Sequence, residues 1–459
     1  MLFSSIPFIY YFLPCVLVMY FLAPKRFRNG VLLASSLFFY GWGEPRYIVL
    51  MLISIMVGYI SGILLEMCEN RKTRKAVLVI SVAICIGFLG YYKYADFFIE
   101  NFNAVTGMSV QLLRLTLPIG ISFYTFQIVS YIVDVYRGNV KRQRNIINLA
   151  AYITMFPQLI AGPIVRYSDI EKQLEDRKYD IDEAAVGVRR LVLGLGKKIL
   201  IANTLGKLCE IFKASDDKSV LFFWVYAIAV SLHIYFDFSG YSDMAIGLGK
   251  ILGFHFPENF NYPFVSKSIT EFWRRWHMSL GTWFRDYVYI PLGGNRVSQI
   301  KRLRNILIVW LLTGFWHGAA WNFVVWGMLF GVLLILEKKW LSKFLDRSRI
   351  ASHVYVMVIV IISFVIFNAD SMREALMYIG NMFGMGGIPF VSTECIYYIR
   401  SYGVIILLAC FGSTPVVNRL FKGKRFAEVF EIPFLLLHMI VMTAYLVDGS
   451  FNPFLYFRF

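Results

Sequence analysis

The sequence predicts an all-α polytopic membrane protein of about ten or eleven spans, with re-entrant and interfacial pieces between them. Three observations carry that expectation. Of 459 residues, 58% are hydrophobic and only 16% charged, with a mean hydropathy of +0.60. A soluble domain is nearer a quarter charged. Apolar runs alternate with short clusters of Lys and Arg. No Pro/Gly/Ser-rich linker or low-complexity run divides them, so residues 1–459 read as a single domain.

The net charge of +17 reflects basic cytoplasmic loops under the positive-inside rule. No soluble basic module is present to bind nucleic acid. The six cysteines show no C-x-x-C or metal-like spacing, and no disulfide framework follows. The first apolar run has its basic residues after it and no small-residue cleavage site, so it reads as a retained span.

Ile6 to Ala23 is the first span, ending inside at Lys25, Arg26 and Arg28. Val31–Gly41 and Tyr47–Leu65 form a hairpin around GWGEPRY and return to Arg71, Lys72, Arg74 and Lys75. Ala76–Tyr92 goes out, Tyr94–Arg114 lies at the outer interface, and Leu117–Tyr136 comes back. Leu149–Val165 is apolar but has basic loops at both ends, including Arg189 and Arg190 farther on. With Pro157, Gly162 and Pro163 it reads as a broken, re-entrant segment lining a cavity, which makes Gln158 a candidate wall residue. Leu191–Phe212 goes out and Val220–Leu252 returns, carrying Asp237 and Asp243 in apolar context, each able to pair with an arginine or orient a histidine. Val354–Phe367 exits, Asp370–Ser401 is an outer region, Tyr402–Leu420 returns to Lys422, Lys424 and Arg425, and Ile432–Leu446 exits last. Both termini are then outside.

The most informative stretch runs from Asn259 to Asn322, and eight of the ten tryptophans lie between Trp273 and Trp340. Its two histidines, His277 and His317, each follow a tryptophan. On one helix, Trp273, Trp276, His277 and Leu280 share a face, while Glu271 reaches Arg275. That pattern is an interfacial amphipathic helix with His277 turned inward; tryptophan anchoring and arginine snorkelling would give the same pattern. His317 is sharper. Asn305–Trp316 rises about 18 Å from a basic loop, short of a bilayer core, and Ala319–Leu336 returns. His317 therefore sits within the membrane near a hairpin apex, where an ionisable residue is a functional candidate by default. The plain alternative is a hydrogen-bonded packing histidine. His277 and His317 have no H-x-x-x-H and no acidic cluster nearby, so no metal is expected. P-loop, Rossmann and G-x-S-x-G signatures are absent.

Taken together, FPQLIAGPIVRY, YFDFSGYSDMAIGLGKILGF, NFNYPF, ITEFWRRWHMSLGTWFRDYVYIPLGG and LTGFWHGAAWNFVVWG resemble the membrane-bound O-acyltransferase family, over a motif core of about residues 120–335. The similarity is strongest to the bacterial branch that O-acetylates alginate and cell-wall polysaccharides, and the NPFLYFRF ending also looks like that branch. The resemblance implies a helical ring in which cytoplasmic and outer funnels meet in a thinned membrane of the bacterial inner membrane. It maps the essential histidine onto His317 and a second important histidine onto His277. It implies acetyl-CoA as donor substrate, with no bound cofactor, and an extracytoplasmic serine hydrolase-like acetyltransferase or small acceptor protein as partner in a polysaccharide pathway.

Acyl transfer from a thioester needs a base and oxyanion stabilisation. His317 is assigned the base role, with Trp316, Asn322 or His277 as hydrogen-bond donors. Arg274, Arg275 and Arg285 are candidates for the phosphates of CoA, and Trp273, Trp276, Trp283 and Asp237 for the donor tunnel. Two other readings compete: D-alanyl transfer to teichoic acid from a carrier-protein thioester, and a transporter with a proton-relay histidine, which the lack of an internal repeat disfavours.

Overall fold

The computed structural model describes residues 3–421, 423–425 and 429–448, and helices are the only regular secondary structure among them. The NPFLYFRF ending and Lys422 lie outside the described residues. By internal contacts the chain forms two compact units, Met1–Leu191 with Ser242–Pro257, and Val192–Tyr241 with Glu258–Phe459. This is an all-α polytopic membrane protein. Among the described residues, five helical stretches are long and apolar enough to cross a bilayer, namely Pro45–Met67, Arg71–Thr106, Val220–Ile251, Arg349–Asn368 and Thr393–Gly412. Pro7–Leu22 and Glu431–Val447 are shorter apolar helices.

The first unit opens with α1 (Pro7–Leu22), α2 (Arg28–Gly43), α3 (Ile48–Met67) and α4 (Arg71–Thr106), and the α2–α3 hairpin turns on GWGEPRY as expected. Asn70 caps α4 by accepting the Lys72 N–H at 2.8 Å. The expected change from span to interfacial segment near Tyr92 does not occur. No proline interrupts this run and Gly90 is absorbed in a π-helical turn, so the helix continues to Thr106, where Gly107 at φ 72° ends it. Beyond it the chain is anchored by Asp96, whose carboxylate accepts the Leu113 and Arg114 N–H groups at 2.7 and 2.9 Å.

After α5 (Ile121–Arg137) and α6 (Ile146–Thr154), the helix breaks at Met155. A single turn, Phe156–Leu159, follows before Gly162 and Pro163. Residues 149–165 are all buried, the environment that irregular backbone requires in a membrane protein. Then come α7 (Tyr167–Glu175) and α8 (Ile181–Gly196). Arg189 and Arg190 are not loop residues, as the charge pattern had suggested, but part of α8, which starts with Asp182 and Glu183 in its first turn. Arg190 pairs with Asp243 at 2.8 Å, and Lys250 pairs with Glu183.

The second unit continues through the π-helical turn Lys197–Ala202 into α9 (Asn203–Ala214) and α10 (Val220–Ile251), the latter within one residue of its expected bounds. Two short helices follow, α11 (Ile269–Arg275) and α12 (Met278–Phe284). Next comes the hairpin of α13 (Gln299–His317) and α14 (Trp321–Leu336), then α15 (Arg349–Asn368), α16 (Met372–Met382), α17 (Thr393–Gly412), α18 (Val416–Phe421) and α19 (Glu431–Val447). α17 begins nine residues before the expected Tyr402. Ser392 caps it, accepting the Cys395 N–H at 3.3 Å, and TECIYYIRSY becomes its first half.

The α13–α14 hairpin owes its closeness to glycine. A Cβ at Gly327 would meet the Gly314 Cα at 3.0 Å and crowd the Trp310 carbonyl. Small residues at such a crossing let the two backbones approach. Gly327→Leu should overpack the crossing and cost about 1–3 kcal/mol. The check is thermal unfolding in detergent, where an unchanged melting temperature would contradict this account.

Candidate active site

His317 is the last residue of α13, at the apex of the hairpin, as the sequence indicated. It is 7% exposed and walled by aromatic rings. Trp316 lies at 4.9 Å between centroids, Phe367 of α15 at 5.1 Å and Trp326 of α14 at 5.2 Å. An imidazole is the kind of side chain that can serve as a general base.

His277 reaches the same place by a different local route. The sequence predicted one continuous amphipathic helix through WRRWHMSL, and this is not what forms. α11 ends at Arg275, Trp276 is extended, and His277 takes a left-handed conformation (φ 44°, ψ 52°) before α12 starts. A non-glycine residue in this region is held there by its surroundings. Here the holding contacts come from the segment that opens the motif. The Met278 N–H donates to the Asn259 carbonyl at 3.0 Å, and the Asn261 N–H to the Arg275 carbonyl at 2.9 Å. The corner turns His277 inward, 2% exposed, with its ring 5.8 Å from Trp316 and 4.7 Å from Phe238. Burial pushes its pKa down to about 3, so it is neutral across the physiological range. Trp316 thus lies against both imidazoles.

A second feature adjoins this centre. A cavity of about 830 Å³ is lined by Lys267, Arg274, Lys338 and Arg349 together with Trp310 and Leu334. Glu271, Glu337 and Asp346 also line it, and Glu271 pairs with Arg275 at 2.9 Å. Glu337 is spent on the start of α11, accepting the Ile269 and Thr270 N–H groups at 2.6 and 3.0 Å. Trp310 packs at 4.7 Å on Trp273, Trp273 at 5.5 Å on Trp326, and Trp326 on His317. An unbroken series of aromatic rings therefore runs from the cavity lining to His317.

The remaining sequence candidates are distributed differently. Trp276 is a core residue, stacked on Phe272 at 5.5 Å and packed on Phe364 at 5.1 Å. Asn322 donates its amide to the Ala369 and Ile366 carbonyls at 2.9 and 3.4 Å, closing the end of α15. Trp283 packs on Phe284 and Tyr287, and Arg285 pairs with Asp286 at 2.7 Å. Asp237 forms a buried ion pair with Lys198, not with an arginine. Gln158 belongs to the first unit, where its amide donates to the Tyr152 carbonyl at 2.6 Å. Sequence reasoning passed over Asn259, Ser279, Trp326, Phe367 and Glu337. Asn259, Ser279 and Trp326 carried a signal, since each lies within a quoted motif.

Residues 140–373 match the profile of MBOAT, the membrane-bound O-acyltransferase family. A probable alginate O-acetylase, AlgI, of Azotobacter vinelandii is 36% identical over 100% of both chains. The chain belongs to the membrane-bound O-acyltransferase family. It is an O-acyltransferase, and its hairpin histidine lies inside the matched region. The probable alginate O-acetylase AlgI of Pseudomonas aeruginosa is 42% identical over 84% of this chain and 75% of its own. A peptidoglycan O-acetyltransferase of Helicobacter pylori is 32% identical over 84% of this chain and 81% of its own.

Proposed function

We propose that this protein takes an acetyl group from acetyl-CoA at the cytoplasmic face of the bacterial inner membrane and passes it across for O-acetylation of an extracytoplasmic polysaccharide, alginate-like or peptidoglycan. The observation that carries the reading is the pair of buried imidazoles on either side of Trp316, in an O-acyltransferase whose relatives along its length are named for O-acetylation. In this reading the acceptor hydroxyl gives its proton to His317 as its oxygen attacks the thioester carbonyl. The indole N–H of Trp316 meets the carbonyl oxygen as charge builds there. The intermediate then collapses, and the departing CoA thiolate takes the proton back from the imidazolium.

The cavity supports an anionic donor. Lys267, Arg274, Lys338 and Arg349 suit the phosphates of CoA, and the aromatic series from Trp310 to His317 suits a slender thioester arm. Trp310 and His317 are seven residues apart on α13, about 10 Å. The immediate acceptor is a serine hydrolase-like acetyltransferase or small protein outside the membrane, and both termini lie on that side.

The test uses purified protein in nanodiscs with radiolabelled acetyl-CoA, with and without the extracytoplasmic partner, scoring CoA release and label transfer. Acetyl-CoA turnover that rises with the partner is expected. Label moving only from a carrier-protein thioester of D-alanine would overturn the acetyl-CoA reading in favour of D-alanylation. In the same assay Arg274→Ala should raise KM for acetyl-CoA about tenfold, the loss of one charge-assisted phosphate contact, with kcat little changed. A normal KM removes Arg274 from the donor site.

A further inference from the structure

Three donors converge on one oxygen beside His277. The Asn259 Oδ1 lies 3.0 Å from His277 Nδ1, 2.9 Å from the Ser279 hydroxyl and 3.3 Å from the Ser279 backbone N–H. Asn259 is 1% exposed. A backbone N–H can only donate, so the amide atom facing Ser279 has to be the oxygen, and this fixes which way the amide points. With an acceptor opposite it, His277 Nδ1 carries the ring proton. A neutral imidazole has one N–H, so Nε2 is then the acceptor nitrogen. The same asparagine also holds the backbone at this corner, through its carbonyl and the Met278 N–H.

We infer that Asn259 is a positioning residue that locks His277 as the neutral Nδ1–H tautomer, so that His277 acts on the substrates through Nε2 as a hydrogen-bond acceptor and not as a donor to the oxyanion. This decides between roles that the sequence left open. The inference deepens the proposed acyl transfer and rests on it for the word substrate, while the tautomer itself does not depend on the donor.

The groups packed on His277 make the consequence readable. Phe238 faces it from α10 and Trp316 from α13, with Ser279 and Asn259 on its own side. Titratable groups near these include His317, beyond Trp316, and Asp237, next to Phe238 and paired with Lys198. Asn259→Asp keeps the shape and the acceptor but puts a negative charge on Nδ1–H, which favours the imidazolium and raises the His277 pKa. An imidazolium cannot accept through Nε2. Proton loss at higher pH restores it.

Two measurements on the full-length protein in nanodiscs test this. The first is ¹⁵N NMR of histidine-labelled protein at neutral pH and below, with the His277 signals assigned from a His277→Gln difference spectrum. The expected result is a neutral Nδ1–H pattern in the wild type and, as pH is lowered, an imidazolium pattern that sets in at higher pH in Asn259→Asp than in the wild type. An Nε2–H tautomer or an imidazolium in the wild type at neutral pH overturns the inference whatever the donor proves to be. The second is the pH profile of CoA release. Asn259→Asp should move the acidic limb up by about one unit or more, with a loss that grows as pH falls and is recovered as pH rises. A purely structural asparagine would give the same fractional loss at every pH, and that result also overturns the inference. Failure of the wild type to release CoA would count against the donor assignment, leaving the tautomer to be decided by the NMR arm.

Discussion

His317→Ala should abolish acyl transfer, with CoA release falling by about 10²–10⁴-fold while the protein still reaches the membrane and folds. The size follows from what the imidazole is asked to do. The side chains of Trp316, Trp326 and Phe367 that pack on it are not bases. Alanine also leaves a hole among these rings, and a cavity of this kind costs about 2–4 kcal/mol. His317→Gln separates the two effects, since glutamine fills much of the volume and keeps hydrogen-bonding capacity but cannot take a proton. Both variants should be equally inactive, with glutamine the more stable by thermal unfolding in detergent. Appreciable turnover in His317→Gln would mean that the imidazole packs or orients without acting as base, and the base would then be sought at His277 Nε2.

The two histidines illustrate which parts of the site are readable from sequence. His317 was legible at the hairpin apex because the apolar run ends there, although α13 starts at Gln299, six residues before the expected Asn305. His277 was legible as a residue but not as a conformation. Helical spacing in WRRWHMSL is real, yet the chain turns a corner there because Asn259, eighteen residues earlier, supplies the carbonyl and the side-chain oxygen that hold it. No local pattern announces a contact of that range. The long apolar helices behave the same way. α10 and α19 matched their expected bounds because hydropathy decides them. α17 did not, because its first half is polar and its start is set by the Ser392 cap. Ser348 and Ser371 cap α15 and α16 in the same manner, so the serine signals were present and outweighed by hydropathy. The break after α6 was readable from Pro157, Gly162 and Pro163. The continuity of α4 through Gly90 was not, because a π-helical turn absorbs the irregularity without a proline to mark it.

Lys198→Met should destabilise the protein by about 3–5 kcal/mol, the typical cost of removing one partner from a buried ion pair. Lys198 and Asp237 are essentially inaccessible, with side chains 0% and 3% exposed, and Asp237 sits within α10, which is long and apolar enough to cross a bilayer. A carboxylate left there without its ammonium must either stay charged at low dielectric or take up a proton, and both cost free energy. Lys198 projects from the π-helical turn that joins α8 to α9, an irregularity that re-aims side chains, and the pair therefore ties that turn to α10. Asp237 is also next to Phe238, whose ring packs on His277, so a shift of α10 reaches the site without any contact to substrate. The expected pattern is a large loss of melting temperature for Lys198→Met and for Asp237→Ala alone. The double replacement Lys198→Met/Asp237→Leu should recover much of it, since two apolar side chains leave no buried charge. If each single variant melts within experimental error of wild type, the pair contributes nothing to the fold. If the double variant regains stability but not turnover, the ion pair serves the geometry around His277 more than it serves the stability of the bundle.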